Sequence, residues 1–566
     1  MTRWVIFAGI VLLGVAAVVV SERRKVDVSA SPAALLYFVA DTEQELTRMP
    51  VSFTRMPDSE EIRIGDELAR SYASQWKQED MAEVTVVEHY LTRVGSGLAG
   101  HAHRILPYKF HYIPDSNFID AFALPGGHVY VGAGLLQLMD SEDELAGVMG
   151  HEIEHIDHYH CASRVQQEEA LRRLPLGGLV ALPVELFEAG YSKDEELEAD
   201  REGTRLAVQA GYSANGALRM FETFDRLHKE YQAKAKTPQD EAAQVAEQAL
   251  EGYFRSHPLP AERIAQVQKM IASEGWPVRA ERDLRVAYIF RTDRARRALE
   301  SRRYAQAEQL ASESLRMRPD QPRAFQVLAQ AQFAQANFAG AAQAYRKLLE
   351  IEPSNVDIII SYAHALAAAD RSKAAAEFRR WAEALKGDKP PEAQEATAGL
   401  ELLNGNKEPA LKLEAEFDLN GDVRAPVWIS DLGWWHYQAG DYATAVQLLS
   451  KAAQLRPADI AMAQQLAWAL IEVRRYGDSL ARLESVSYEA QVRPEKAIIR
   501  AVVHWQTQEH EGALRDFDAA VAAQPEWANS NWVKSLYSPL VWQSVQEMRV
   551  ESDRRRRKTR AATHLE

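Results

Sequence analysis

Cysteine is almost absent from this chain of 566 residues. Cys161 is the single example, so no intrachain disulfide bond can form. Basic residues are also too few for a general nucleic-acid binder, because 66 lysines and arginines face 81 acids and the net charge is −15. We therefore expect no nucleic-acid partner. The shortage of cysteine leaves the compartment open, since it suits a reducing cytosol and an envelope protein without disulfides alike.

Long hydrophobic runs are also rare, and the one that matters lies at the amino terminus. Residues 4–20 form an uncharged, apolar run. A helix of this length is just long enough to span a bilayer. We predict a membrane anchor or signal sequence over residues 1–28, followed by a helical linker over 29–59. The bases in the following "SERRK" outnumber Arg3, and the positive-inside rule would then place the main chain in the cytoplasm.

What the chain does have is the stretch "DSEDELAGVMGHEIEHIDHYH", which carries the signals of a helix. Ser141 with Glu144 three residues later forms a capping-box start. On such a helix His151 and His155 are one turn apart and project side by side. Two imidazoles so placed can bind one zinc ion, and Glu152 can reach a water beside it.

A second acidic segment downstream supplies more candidate ligands. In "ELEAD", Glu196 and Asp200 are again one helical turn apart. A carboxylate can complete a zinc site with two histidines, and another can hold a ligand histidine by its other ring nitrogen. Taken alone, the segment is typical of an exposed acidic helix. Beside the histidine helix, it predicts a metal site.

These motifs together resemble the gluzincin zinc metallopeptidase family that includes the CAAX prenyl endopeptidases and the HtpX and BepA proteases. The resemblance runs over about residues 60–275 and includes "DAFALPGGHVYVGAGLL" upstream and "SHPLPAERI" downstream. It implies that Glu196 is the third ligand of one Zn²⁺ per chain and that Asp200 supports the site. It also implies that His257 and Arg263 are candidate donors to the oxyanion. The chain departs from the family pattern at three positions: Asp120 stands where Asn is usual, Glu154 where a small residue is usual, and Tyr159 where Arg is usual.

The upstream segment predicts a turn at "PGG" and a strand at "HVYV". In the family this strand borders the cleft, so a substrate could pair with it as an added strand; an ordinary hairpin beside the core is the alternative. We expect His158, His160 and Cys161 to lie on the helix surface or just behind the ligands. The segment over residues 171–190 is either a core helix or a hinged lid over the cleft.

After residue 283 the chain becomes alanine-rich and repeats with a fixed period. Tyr304 and Phe338 are 34 residues apart, as are Ala307 and Ala341. This period is typical of tetratricopeptide repeats, whose stacked helix pairs bind peptides or proteins. The same interval separates Pro319 from Pro353, Leu432 from Leu466, Trp434 from Trp468 and Tyr442 from Tyr476.

The sequence thus predicts an α+β, mostly α fold: a zincin-type peptidase domain over residues 60–283, then an all-α solenoid over 284–540 and a disordered basic tail over 541–566. The predicted activity is that of a zinc-dependent endopeptidase that cleaves misfolded or envelope proteins, with the repeats recruiting substrates or protein partners. The predicted place is the bacterial cell envelope, attached to the membrane through residues 4–20 or secreted to the periplasm; a cytoplasmic-facing orientation is the alternative. The other function considered is a repeat scaffold whose peptidase domain is inactive.

Overall fold

The structure is a computed structural model, and it describes residues 56–73, 81–172, 191–234, 257, 260–385, 390–417, 424–486 and 494–563. The predicted anchor and nearly all of the predicted linker lie outside these residues, and so does most of the segment considered as a lid. The chain divides into two compact units, residues 1–285 and residues 286–566. Each unit is described by itself.

The first unit surrounds a three-stranded sheet with helices. Its elements, in chain order, are α1 (Asp58–Ala73), α2 (Met81–Ala99), β1 (Lys109–Ile113), β2 (Ala121–Leu124), β3 (His128–Gly132), α3 (Ala133–Leu136), α4 (Glu142–Asp157), α5 (His160–Arg172), α6 (Lys193–Gln209), α7 (Asn215–Lys234) and α8 (Pro260–Ser273). The fold class is as predicted, with few strands and many helices.

The order of the strands corrects the prediction for "HVYV". This segment is β3, and it is the middle strand of the order β1–β3–β2 rather than a border of the sheet. β1 pairs with it in parallel and β2 in antiparallel fashion. Both sides of β3 are therefore occupied, and a substrate cannot pair with it. Within the described residues β1 and β2 are the two outer strands, and each keeps one side free of strand partners for an added strand.

Helix α4 is the central helix of the first unit. It begins with the predicted capping box, in which Glu144 N donates to Ser141 Oγ at 3.1 Å and the Glu144 side chain accepts from Ser141 N. Its apolar side is buried, with Leu145 and Met149 fully covered. The polar side is buried too, which an ordinary surface helix would not allow. The polar groups of α4 must then find partners inside the protein.

Helices α4 and α6 cross at a pair of glycines. A Cβ atom on Gly203 would lie 2.6 Å from His151 N, and one on Gly150 would lie 2.7 Å from Gly203 O. Only glycine fits at both positions, because a side chain on either helix would meet the backbone of the other. This close approach brings the histidines of α4 against the carboxylates of α6.

The second unit is a series of helices in which the predicted period is confirmed. Tyr304 and Phe338 are each the first residue of a helix, and so are Tyr442 and Tyr476. The elements are α9 (Ala287–Glu300), α10 (Tyr304–Met317), α11 (Pro322–Ala334), α12 (Phe338–Ile351), α13 (Val356–Ala369), α14 (Arg371–Ala384), α15 (Pro391–Leu403), α16 (Glu408–Phe417), α17 (Ala425–Ala439), α18 (Tyr442–Leu455), α19 (Ile460–Glu472), α20 (Tyr476–Glu484), α21 (Pro494–Gln506), α22 (His510–Ala523), a 3₁₀ turn (Pro525–Ala528), α23 (Ser530–Leu536) and α24 (Pro539–Thr563).

The structure corrects the prediction of a disordered tail over residues 541–566. Helix α24 runs to Thr563, and Val541, Val545 and Met548 are buried in the core of the second unit. The basic run continues this helix, and Arg555 pairs with Glu511 at 2.9 Å. The prediction rested on the basic run and overlooked the helical spacing of the apolar residues Val541, Val545 and Met548 that precede it. Among the described residues, no helix combines the length and the apolar character needed to cross a bilayer.

Candidate metal centre

Three elements bring the predicted site residues together. Helix α4 supplies His151, Glu152 and His155, and α6 supplies Glu196 and Asp200. Arg263 comes from α8, and His257 precedes that helix in the chain. One ligand atom from each of His151, His155, Glu196 and His257 lies within 4.8 Å of the others. All four side chains are buried.

The nitrogen atoms of the two α4 histidines converge on Glu196. Nε2 of His155 lies 3.1 Å from Nε2 of His151 and 3.3 Å from Oε1 of Glu196. Nε2 of His151 lies 3.5 Å from Oε2 of the same carboxylate. Two imidazole nitrogens and one carboxylate are a donor set that zinc takes in catalytic sites.

Two buried oxygens test whether a cation fits at this point. Oε1 of Glu196 and Oε2 of Glu152 accept no hydrogen bond from the described residues, although Nε2 of His155 lies 3.3 Å from the first of these oxygens. A buried carboxylate oxygen without a partner is costly unless a charge compensates it. The residues therefore fit a divalent metal ion, with Glu196 as the anionic ligand.

The outer nitrogen of His151 is fixed by a carboxylate. Nδ1 of His151 lies 2.9 Å from Oδ1 of Asp200. Arg263 in turn donates to Asp200 from Nε and Nη2, both at 2.6 Å, and its Nη1 lies 3.3 Å from Glu196. Such contacts set the orientation of a ligand histidine and keep Nε2 free for the metal.

The charges of these groups shift one another's pKa values. Burial opposes ionisation of Glu196, but His257, Arg263 and His151 outweigh it and hold the pKa of Glu196 well below its usual range. Burial likewise disfavours a charged His151, yet the carboxylates of Glu196 and Asp200 raise its pKa to about 10. The cluster thus keeps its carboxylates ionised and attracts positive charge.

Glu152 differs from Glu196 in its surroundings. Burial raises the pKa of Glu152 to about 7, with His257 and His151 opposing the shift. Oε1 of Glu152 lies 3.7 Å from Nε2 of His257. A carboxyl group whose pKa lies near neutral pH is suited to exchanging a proton beside a metal site rather than to holding the metal.

His257 and Arg263 were predicted as donors to an oxyanion, and those roles stay predictions. Nδ1 of His257 lies 3.0 Å from Glu196 and 3.3 Å from Nε2 of His151, so the ring belongs to the metal cluster. Its Nε2 faces Glu152 and the carbonyl oxygen of Ala121 in β2. Arg263 faces the carboxylates behind the histidines.

His160 was expected on the helix surface or just behind the ligands, and the structure places it behind His155. Nδ1 of His160 lies 3.0 Å from Nδ1 of His155, and Nε2 of His160 lies 3.4 Å from Glu198. The ring of Tyr191 stacks on the His155 ring, with centroids 3.8 Å apart. The sequence feature that could have identified His160 is its position five residues after His155, the second proposed ligand. Tyr191 offered no such feature.

The departures from the family pattern have local partners in this chain. Oε2 of Glu154 lies 3.1 Å from Nε2 of His158. The guanidinium of Arg104 covers the ring of Tyr159 at 3.7 Å. Asp120 lies 3.8 Å from Nε2 of His257. Each substituted side chain is thereby accommodated without displacing His151, His155 or Glu196.

Comparison with known proteins agrees with these two parts of the chain. Residues 86–271 match the model of peptidase family M48, and residues 436–502 match a tetratricopeptide repeat. The putative beta-barrel assembly-enhancing protease of Vibrio cholerae is 34% identical over 202 residues, which cover 32% of this chain and 38% of that protein. The beta-barrel assembly-enhancing protease of Escherichia coli K12 is 25% identical over 40% of this chain and 47% of its own length.

A further relative, matched over a shorter stretch, is the mitochondrial metalloendopeptidase OMA1 of Schizosaccharomyces pombe, 32% identical over 21% of this chain and 38% of that protein. The chain therefore spans less than half the length of these curated relatives. The likeness is strongest as evidence for the peptidase domain, which contains every residue of the cluster.

Proposed function

Because residues 86–271 form a peptidase domain of family M48, with tetratricopeptide repeats further along the chain, we propose that this protein is a zinc-dependent endopeptidase of the bacterial cell envelope. The observation that carries the proposal is the convergence of the His151 and His155 side chains on Glu196. Beside them, one buried carboxylate oxygen of Glu196 and one of Glu152 accept no hydrogen bond from the described residues. The relatives named as proteases support it.

The proposed reaction is hydrolysis of a peptide bond. Zinc held by His151, His155 and Glu196 would polarise the scissile carbonyl and lower the pKa of a water. Glu152 takes a proton from the attacking water and passes it to the leaving amine. Asp200 holds His151 in place. His257 is the better placed of the two proposed oxyanion donors, because its Nε2 faces Glu152 while Arg263 donates to Asp200.

We propose misfolded or envelope proteins as substrates, bound in extended form along the free edge of β2. The carbonyl oxygen of Ala121 in this strand lies 3.4 Å from Nε2 of His257, so the edge runs past the cluster. Pairing through main-chain atoms reads few side chains, and we expect loose sequence specificity.

The repeats are proposed to recruit substrates or partner proteins, as the concave faces of such solenoids do. The names of the relatives support a partner among proteins involved in assembling β-barrels. Attachment to the membrane through residues 4–20, with the remainder in the periplasm, is also a proposal. The test is a fusion, after residue 30, of a reporter enzyme that works only in the cytoplasm. Activity of that fusion would overturn this topology.

The function is tested by metal removal. Purified full-length protein should contain about one zinc per chain and cleave casein. Treatment with a chelator should abolish cleavage, and added zinc should restore it. Protein that carries no zinc and cleaves nothing after zinc is supplied would instead favour a repeat scaffold with an inactive peptidase domain.

A further inference from the structure

The second histidine of the cluster has an unassigned neighbour on its outer nitrogen. His155 directs Nε2 towards Glu196, at 3.3 Å, and Nδ1 towards His160, at 3.0 Å. The side chain of His160 is buried, while that of Glu198, 3.4 Å beyond it, is 39% exposed. The three side chains form a line from the cluster to the surface of the unit.

A break in the helix places His160 in this line. In a continuous helix a residue five positions after His155 would point about 140° away from it. Here α4 ends at Asp157, and Tyr159 adopts a left-handed conformation with φ of 61°. The chain turns, α5 begins at His160, and the imidazole returns to the outer side of His155.

Arg104 stabilises the turn. Its guanidinium lies over the ring of Tyr159 at 3.7 Å and donates from Nη1 to the carbonyl oxygen of Ile156 at 2.6 Å. Its Nη2 also pairs with Glu61 at 2.5 Å. A left-handed residue other than glycine is costly and persists when its surroundings hold it. The position of His160 is therefore fixed by several buried contacts.

The proton positions along the line follow from one requirement. A metal ion at Nε2 of His155 needs the lone pair of that nitrogen, so the proton of the ring is on Nδ1. Nδ1 of His155 then donates to Nδ1 of His160, and the proton of the neutral His160 ring is on Nε2. That N–H faces the carboxylate of Glu198. Every donor in the line meets an acceptor.

The line matches the one behind the other histidine. His151 is backed by Asp200 and Arg263, and His155 is backed by His160 and Glu198. The stacked ring of Tyr191 adds a second restraint on His155, with an angle of 17° between the ring planes. Both ligand rings are thus held by their outer nitrogens.

We infer that His160 and Glu198 are positioning residues that hold His155 in the tautomer and orientation needed to bind zinc. The inference rests on the proposed zinc site. Partners of this kind raise metal affinity by about 10- to 100-fold in other proteins. His160 acts on the metal through His155 alone.

The test compares zinc affinity among full-length variants by competition with a chromogenic chelator. We expect His160→Leu to bind zinc about 10- to 100-fold more weakly, because leucine offers no acceptor to His155. His160→Gln should recover part of the loss, since its amide oxygen can accept from His155 and its amide nitrogen can donate to Glu198. Glu198→Ala should show a smaller loss in the same direction.

His158→Leu is the matched control, because His158 also neighbours Glu198, at 3.7 Å, but faces Glu154 instead of the cluster. It should keep the affinity of the unchanged protein. The inference is overturned if His160→Leu binds zinc normally, if His158→Leu loses as much, or if His160→Gln recovers nothing. The absorption spectrum of bound Co²⁺ should also change in His160→Leu and stay unchanged in His158→Leu. Failure of the unchanged protein to bind zinc would overturn the proposed function itself.

Discussion

Glu196 belongs to the cluster and Glu152 lies beside it, and the surroundings of the two glutamates differ. Glu196 is contacted by Arg263 at 3.3 Å and by His257 at 3.0 Å, and its pKa is held low. Glu152 has Nε2 of His257 at 3.7 Å, and burial raises its pKa to about 7. The first environment favours a permanent anion, and the second favours a group that gains and loses a proton.

We therefore expect Glu152→Gln and Glu196→Gln to fail in different ways. Glu152→Gln should keep its zinc and its fold while cleavage of casein falls by about 100-fold or more. Glu196→Gln exchanges an anionic ligand for a neutral one and should lose metal affinity substantially. Metal analysis and protease assays on the two proteins separate the effects.

Two results would contradict these assignments. Full activity in Glu152→Gln would mean that another group moves the proton. Normal zinc content with normal turnover in Glu196→Gln would move the third ligand elsewhere, and His257, already in the cluster, would be the first candidate.

At this scale the sequence predicted what a helical period can specify. His151 and His155 share a face because they are four residues apart on one helix, and Glu196 with Asp200 repeats that spacing. The contact between His155 and His160 depends on the left-handed turn at Tyr159, which residue spacing does not encode. Only the three-dimensional contacts of Arg104 explain that turn.

At the scale of elements, the crossing of α4 and α6 determines whether the ligands meet. Gly150 and Gly203 allow the two backbones to touch, immediately beside His151. A side chain at Gly203 would have to push α6 away from α4, since the atoms it meets belong to the backbone of α4. Separation of the helices would draw Glu196 away from the histidines.

We predict that Gly203→Ala weakens zinc binding by about 10-fold or more, as disturbed ligand geometry does, and destabilises the protein by about 1–3 kcal/mol. Gly97→Ala in α2 is the control, because nothing lies within 4 Å of its added methyl group. The control should bind zinc normally and unfold at the same or a slightly higher temperature. Chelator competition and thermal unfolding measure both effects. Equal zinc affinity in the two variants would show that the glycine crossing does not set the site.

The sheet shows what local pattern cannot predict. Alternation identified "HVYV" as a strand, and β3 is one. Strand order depends on which segments pair. Nothing in the five residues of β1 specifies that this strand pairs in parallel with β3. The pairing places β3 in the middle and leaves the free edges on β1 and β2, of which β2 is the one that contacts the cluster.

At the scale of the whole molecule, the last residues of the first unit are attached to the start of α4. Glu142 N donates to the carbonyl oxygen of Arg282 at 2.8 Å, and Arg282 N donates to Asp143 at 2.7 Å. Ser141 and Asp283 form an isolated β-bridge. The structural division after Arg285 falls just beyond these contacts, whereas the predicted boundary was residue 283.

A chain that ends at Arg285 should therefore bind zinc and cleave casein like the full protein, while losing association with partners of the repeats. A chain that ends at Val278 lacks the attachment of residues 282–283 and should unfold at a lower temperature. Zinc content, casein cleavage and thermal unfolding of the two chains are the measurements. If the longer chain also failed to bind zinc, the two units would have to fold as one.

From the same attachment we expect the peptidase unit to respond to mechanical tension. The first repeat helix begins at Ala287, two residues after Arg285, so any pull on the repeats travels along the backbone into residues 282–283. There the load falls on the bridge to Ser141 and on the hydrogen bonds at the beginning of α4. That helix carries His151 and Glu152 further along. A partner that pulled on the repeats would therefore be expected to strain the helix that carries His151 and His155.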